Sequence, residues 1–543
     1  MPITEIDMRR PWQKFQDDTK GSANWRMAME SSIWQKHNKY FQMKKILGIS
    51  LIAAVGFLSA CEKKLDQLPI SDAPTETFYK QTVDFVQGVN AAYNGLRTYP
   101  DRLLNLSETR SDNLYAVSDG GVREWEGINS FHKTIAGNAY VAEAWTGNFS
   151  AISRANQVLE QLALKGESII ADAALRTRLE AEARFLRAFF YFDLVRWFGK
   201  LPIIDHPVLA NEALEIGRSP VPEVYTFIMN DLKFAADNLP DAYKDAADKG
   251  RATKYAAKGI LALVHMTRSG PTYGIDGPGL GLNEWSQALT LLNEIIDSKK
   301  YSFLAKYTDI FSYTNENNAE VVFDVQYNNG SNPITGGTFP WLLAPDNWFQ
   351  ELGLGTQGGL TIRPVANNLL NSYEAADNRK AFTIQSGYTA SGIPESRSFF
   401  KKYIDITKVP KNNRLDWPIN FIVLRFTDVL MLKAECILKG APGSQTDVDN
   451  IVSQVRNRAG LGPVANITLP QLMEERRKEF AAEGSRWHDL VRSGLVETVI
   501  PAWIATEDVQ RVMQPFDKNY ILYPIPQSEL DVKPGLYEQN KGY

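Results

Sequence analysis

Histidine is scarce in this chain and cysteine scarcer: 543 residues hold five His and two Cys. An intramolecular disulfide would have to join Cys61 to Cys436. Their settings argue against it, since one ends an apolar run and the other sits in a helical pattern. The absence of any C-x-x-C excludes a zinc ribbon or a thioredoxin-like centre, and Cys436 reads as a small buried hydrophobe. None of His37, His132, His206, His265 and His488 stands at metal-ligand spacing, and no H-E-x-x-H occurs, so no metal site is expected. There is no G-x-S-x-G elbow and no Walker-type loop. Gly277–Gly281 is glycine-rich but lacks the strand and the Lys-Ser/Thr of a phosphate loop, and reads as a turn. No cofactor is called for. Charge of one sign is nowhere concentrated: the formal net charge is -4, and the clustered Lys/Arg face of a nucleic-acid binder is missing.

The apolar run Ile46–Leu58 is too short to span a bilayer, which needs about 20 residues. Lys44-Lys45 precedes it and Ser59-Ala60-Cys61 follows. A basic segment, a short apolar stretch and small residues before a cut site describe a secretory leader. The division expected is a non-native upstream extension over 1–42, with Met43 as a plausible start, a lipoprotein leader over 43–60 and a polar tether over 61–80.

Beyond the tether, helical periodicity dominates. From Leu179, apolar residues recur at Ala183, Leu186, Phe190, Leu194 and Trp197, one stripe on one helix face, with Arg184, Arg187 and Asp193 off it. Gly199 and Pro202 end that helix. Paired helices are expected over 253–268 and 285–296, 427–438 and 448–458, and 468–482 and 485–492. Thr468-Leu469-Pro470-Gln471 offers a capping box with proline in the first turn. Repeated hairpins suggest tetratricopeptide-like stacking. The fold class is therefore mainly α, helix hairpins forming a scaffold, with an irregular region and a few short strands.

Between about 299 and 425 the texture changes. Val321–Tyr327 reads as a strand, set among Asn328-Asn329-Gly330, Gly336-Gly337, Pro340-Trp341, Trp348 and Gly353–Gly359. Long irregular loops in a compact protein are usually functional. Glu474, Glu475, Glu479 and Glu483 could be imagined as acid/base pairs. They stand among Arg476, Arg477, Lys478 and Arg486, and read better as ion-paired helix packing. No catalytic constellation is legible, and an enzyme is not expected.

Several motifs in order resemble the SusD/RagB family. They are Glu182–Tyr191 through Arg196-Trp197-Phe198-Gly199, Gly250-Arg251-Ala252-Thr253-Lys254, Leu424–Leu430, Val455–Leu461, Glu475–Phe480 with Gly484–Leu490, and Tyr523-Pro524-Ile525-Pro526. Leu58-Ser59-Ala60-Cys61 looks like a bacterial lipobox, in which Cys61 is acylated and becomes the mature N-terminus. The likeness runs from that box to the last residue. It implies an N-terminal SusD-like helical region over 81–298 and a C-terminal RagB/SusD region over 299–543. It also implies an outer-membrane lipoprotein facing the cell exterior, working with a TonB-dependent (SusC-like) transporter to capture glycans or, in RagB-like members, peptides. One departure is Glu62-Lys63-Lys64, where an acidic run often accompanies surface export.

Sugar rings stack their C–H faces on aromatics, and Asn, Asp and Arg bond the hydroxyl rim. Exposed loop aromatics are thus the candidates: Trp341 and Trp348 in the irregular region, and Trp125 beyond the loop containing Gly120-Gly121. Arg110 and Asn113, in the segment Glu108–Asn113 that leads to that loop, lie where family members often carry part of their site. Cys61 is the expected lipid attachment.

Overall fold

The helices expected from the 3.6-residue period are present, and they stack in chain order. The computed structural model describes residues 78–116, 123–330, 333–354, 360–410 and 415–543. Cys61, the upstream extension, the leader, the tether as far as 77, Gly120, Gly121 and positions 355–359 lie outside the described residues.

In chain order the elements used below are α1 (Thr82–Tyr93), α2 (Glu124–Asn129), α3 (Ala139–Ile169), α4 (Ala173–Phe198), α5 (Val221–Asn238), α6 (Lys254–Arg268) and α7 (Trp285–Asp297). After them come β1 (Val321–Val325), α8 (Phe339–Leu342), α9 (Asp346–Glu351), β2 (Ile384–Ala390), β3 (Ile393–Phe400) and β4 (Phe421–Arg425). Last are α10 (Phe426–Leu438), α11 (Gln445–Arg458), α12 (Leu469–Glu479) and α13 (Arg486–Ser493). Each helix from α3 to α7 packs on the next; α7 packs on α10, and α10 on α11. The architecture is mainly helical with few short strands.

Local chemistry sets the helix ends. Asn138 caps α3 by accepting from Tyr140 N at 3.0 Å, and Asp172 caps α4 from Ala174 N at 2.9 Å. The Thr468/Gln471 capping box is formed, with Pro470 in the first turn of α12. Gly199 closes α4 at φ +71°, and a Cβ there would stand 2.0 Å from the carbonyl oxygen of Asp276.

Helix α4 departs from the one-stripe expectation: from Leu179 to Phe198 it is buried on nearly every side, Arg187 and Asp193 included. It lies between α3 and α5 and is the middle of the stack rather than its edge. Its polar groups are therefore paired. Arg187 reaches both carboxylate oxygens of Asp231 at 2.7 and 3.0 Å. Asp193 accepts from Asn148 Nδ2 and Trp197 Nε1, each at 3.0 Å.

The acidic residues of 474–483 are ion-paired as expected. Glu479 meets Arg379, Arg425 and Arg458 at 3.0, 2.9 and 2.7 Å, all buried. Burial alone would raise its carboxyl, but Arg458, Arg425 and Arg379 hold it far below the usual range. Cys436 is fully buried. The main apolar core takes members from Ala92 to Ile525, and two smaller cores lie under α1 and between α10, α11 and α12.

β1 pairs antiparallel with β4, and β2 with β3. The second pair is a hairpin the sequence reading did not anticipate. Its two-residue turn, Ser391-Gly392, has φ of +51° and +77°, the conformation that matches strand twist.

Candidate ligand-binding site

A strip of extended chain, 360–366, organises the loop-rich face. On one side Tyr115 N donates to Pro364 O and Ala366 N to Asn113 O, both at 2.9 Å. On the other, Val365 N donates to Ser398 O on β3 at 2.8 Å. The strip thereby joins the loop after Arg110 to the β2–β3 hairpin.

Asp346, at the start of α9, fastens this strip to α8. Its backbone N–H donates to Leu360 O at 2.9 Å, and its carboxylate accepts from Leu360 N at 2.9 Å and from Trp341 Nε1 at 3.0 Å. The carboxylate therefore fixes the orientation of the Trp341 indole. Trp341 is half-buried and packs against the core. The segment carrying it is held from below by a hydrogen bond from Thr338 Oγ1 to Asp101. Burial pushes the Asp101 carboxyl up to about 7, against the lowering effects of Thr338 and Arg102. Tyr388 on β2 is half-buried and donates its hydroxyl to Oδ1 of Asn347, the residue after Asp346, at 3.3 Å. Arg397 on β3 is half-buried and paired with Glu395 at 2.6 Å. A half-buried indole, a phenol, an exposed amide and a guanidinium are the group types that stack a sugar face and bond its hydroxyls.

Two other predicted tryptophans are interior. Trp348 is 8% exposed and packs on Phe349 and Phe399 with ring centroids 5.0 and 5.1 Å away. Trp125, in α2, is 4% exposed beneath the Arg363 guanidinium at 4.3 Å. That arginine is itself buried and donates to Asn105 Oδ1 at 2.8 Å.

The expectation that Arg110 and Asn113 meet ligand is corrected by their position, since both are completely enclosed. Arg110 donates to Tyr520 O at 2.7 Å and lies 3.9 Å over the Tyr523 ring. Asn113 donates to Glu108 Oε1 at 2.8 Å and accepts from Arg477 Nε at 2.9 Å. The physical reason is that the segment Glu108–Asn113 ties the N-terminal helices to α12 and α13. Its polar side chains bond protein groups far along the chain.

Asp346, Asn347, Tyr388 and Arg397 were missed by sequence reasoning. The available signal was the Ser391-Gly392 turn, which marks a hairpin and so places Tyr388 and Arg397 near its end. Among the described residues no cluster of His, Cys, Asp and Glu could hold a metal ion, and no helix is long and apolar enough to cross a membrane.

Residues 319–543 match the SusD family model. Residues 63–266 match a family described as starch-binding, associating with the outer membrane. A SusD-like protein of Bacteroides ovatus is 27% identical over 485 residues, covering 83% of this chain and 83% of that one. Two solved structures are similar, each at 25% identity and covering 86% of this chain and all of theirs. One is a laminarin-binding SusD-like protein with a TM-score of 0.71. The other is surface glycan-binding protein A from Bacteroides thetaiotaomicron, with a TM-score of 0.72.

Proposed function

The chain belongs to the SusD family, and from that premise we propose that it captures glycan at the outer membrane and hands it, uncleaved, to a TonB-dependent, SusC-like transporter. Relatives described as glycan-binding and laminarin-binding support the ligand class. Acylation of Cys61 anchors the protein, facing the cell exterior, since each buried methylene of an acyl chain contributes about 0.8 kcal/mol.

The carrying observation is Trp341. Of the three tryptophans selected from sequence it alone is half-buried rather than buried, and Asp346 holds its indole in one orientation. It is the stacking platform, with Tyr388, Asn347 and Arg397 as its rim. A receptor feeding a channel must also release its ligand, so a Kd of about 1 μM to 1 mM is expected, or about 8 to 4 kcal/mol. A few stacked rings and rim hydrogen bonds can supply that.

The test is titration calorimetry with neutral oligosaccharides and with peptide pools, alongside product analysis of the same mixtures. Trp341→Ala should weaken oligosaccharide binding by about tenfold or more, about 1.4 kcal/mol, with a nearly unchanged Tm. Trp348→Ala should instead cost about 3–5 kcal/mol of stability. Unchanged affinity in Trp341→Ala overturns the site. Peptide binding in place of oligosaccharide overturns the ligand class, and cleavage products overturn capture without turnover.

A further inference from the structure

A second concavity, whose lining does not include Trp341, lies between α1, the turn before α6 and the end of β1. It consists of two adjoining hollows of about 370 and 420 Å³, each within the size range of ligand sites. They meet at Lys249-Gly250-Arg251 and share the wall at Asp324. The saddle between them requires glycine. Gly250 has φ +87°, and a Cβ there would come within 2.2 Å of the Gln326 side chain.

The polar groups of the first hollow divide into used and unused. Arg251 is committed: it donates to Asp248 at 2.7 Å, to Glu182 at 2.8 Å and to Asn90 Oδ1 at 2.7 Å. Gln326 is committed to Asn317 and Asp324. Asp324, the one carboxylate in this lining, is 3% exposed, with amide donors on both oxygens. Arg97 makes a single side-chain bond, Nη2 to Gly336 O at 3.3 Å. Neither Arg97 nor Lys249 has an ion-pair partner among the described residues, and Lys249 is exposed. Two cations outside any close ion pair among the described residues thus face one hollow, Lys249 with the carboxylates of Asp324 and Glu316 in its field and Arg97 with that of Asp101, beside the half-buried Tyr93 and the exposed amide of Asn94.

We propose that this cleft is a second saccharide site, selective for a sugar bearing an anionic substituent, with Lys249 and Arg97 receiving the charge and Tyr93 packing on the ring. A guanidinium matches the paired oxygens of a carboxylate or sulfate, and an ammonium adds a point charge. The proposal rests on the glycan reading only in taking a sugar as the carrier of the charge. A hexuronate and a sulfate ester offer the same oxygen pair, so both are probed.

The experiment titrates the full chain with an oligohexuronate, a sulfated oligosaccharide and a neutral oligosaccharide. One or both anionic ligands should bind, with affinity falling between about 50 mM and about 500 mM salt, as expected for exposed charges. Lys249→Glu should weaken that binding by about tenfold, since it replaces attraction with repulsion, and leave neutral-sugar binding unchanged. Trp341→Ala should do the reverse. Anionic binding that is absent, or present but unaffected by Lys249→Glu, overturns the cleft while leaving the Trp341 site standing. Lys249-dependent anionic binding with no neutral binding at all upholds the cleft and removes the Trp341 reading instead.

Discussion

Asp112 and Arg486 form a two-point buried ion pair across 374 positions of sequence, with Nε to Oδ1 and Nη2 to Oδ2 both at 2.8 Å. Arg477 adds a third contact at 3.2 Å. Together these residues lock the N-terminal helical segment to α12 and α13. Removing one partner of such a pair strands the other, so Arg486→Ala should destabilise the protein by about 3–5 kcal/mol. Burial would raise the Asp112 carboxyl, but Arg477 and Arg486 hold it down to about 2. A depressed carboxyl stabilises above its unfolded value and loses that contribution as pH falls through the folded one. The parent should therefore lose this contribution between about pH 4 and pH 2, and Arg486→Ala should keep only the part that Arg477 supplies. Urea unfolding across that range checks both.

Asp324 has the opposite sign. Burial raises its carboxyl to about 7 despite the Gln326 and Asn420 amides. Ionising it in the folded state costs free energy, so the parent is penalised as pH rises from the unfolded value towards 7. Asp324→Asn removes the ionisation. The stability difference in favour of the variant should grow by roughly 1.4 kcal/mol per pH unit between about pH 4 and 7, then level off. Paired denaturation curves at several pH values measure it. A difference independent of pH would refute the assignment.

Asp416 holds the loop before Trp341. Its carboxylate accepts from Gly330 N at 2.9 Å, Thr335 N at 3.1 Å and Gly336 N at 2.6 Å. Bonds to a charged group are worth about 1.5–3 kcal/mol each. Asp416→Ala should speed hydrogen exchange at Thr335 and Gly336 by at least about a hundredfold, the equivalent of about 2.7 kcal/mol. Amides of α3 and α4 should stay protected, because the loop opens without unfolding the stack.

If the proposed acylation holds, Cys61→Ala should move the protein from the membrane fraction to the soluble one with its Tm unchanged, since Cys61 precedes the helical scaffold in sequence. Mass spectrometry of the native protein should find an acylated Cys61 at the mature N-terminus. An unmodified N-terminus upstream of Met43 would refute both the anchor and the assigned start.

The sequence by itself determined the helices with a clear apolar period and, for most of them, nearly where they stop. Helix periodicity, the Thr468/Gln471 box and Gly199 act within a few residues of themselves, so 254–268, 285–297 and 426–438 could be read almost to their ends, and 469–479 to its start, though it stops three residues before the expected 482. The strand at Val321–Val325 was legible for the same reason. What a side chain faces was not legible, because contacts hundreds of residues away decide it. Arg110 and Asn113 look like loop residues in sequence, yet Tyr520, Glu108 and Arg477 enclose them. α4 shows a single stripe, yet neighbours on both sides bury it all round. Trp125, Trp341 and Trp348 are the same residue in similar surroundings along the chain. Only the tertiary structure distinguished them, by laying Arg363 over one, Phe399 against another, and leaving the third half-buried and tethered to Asp346.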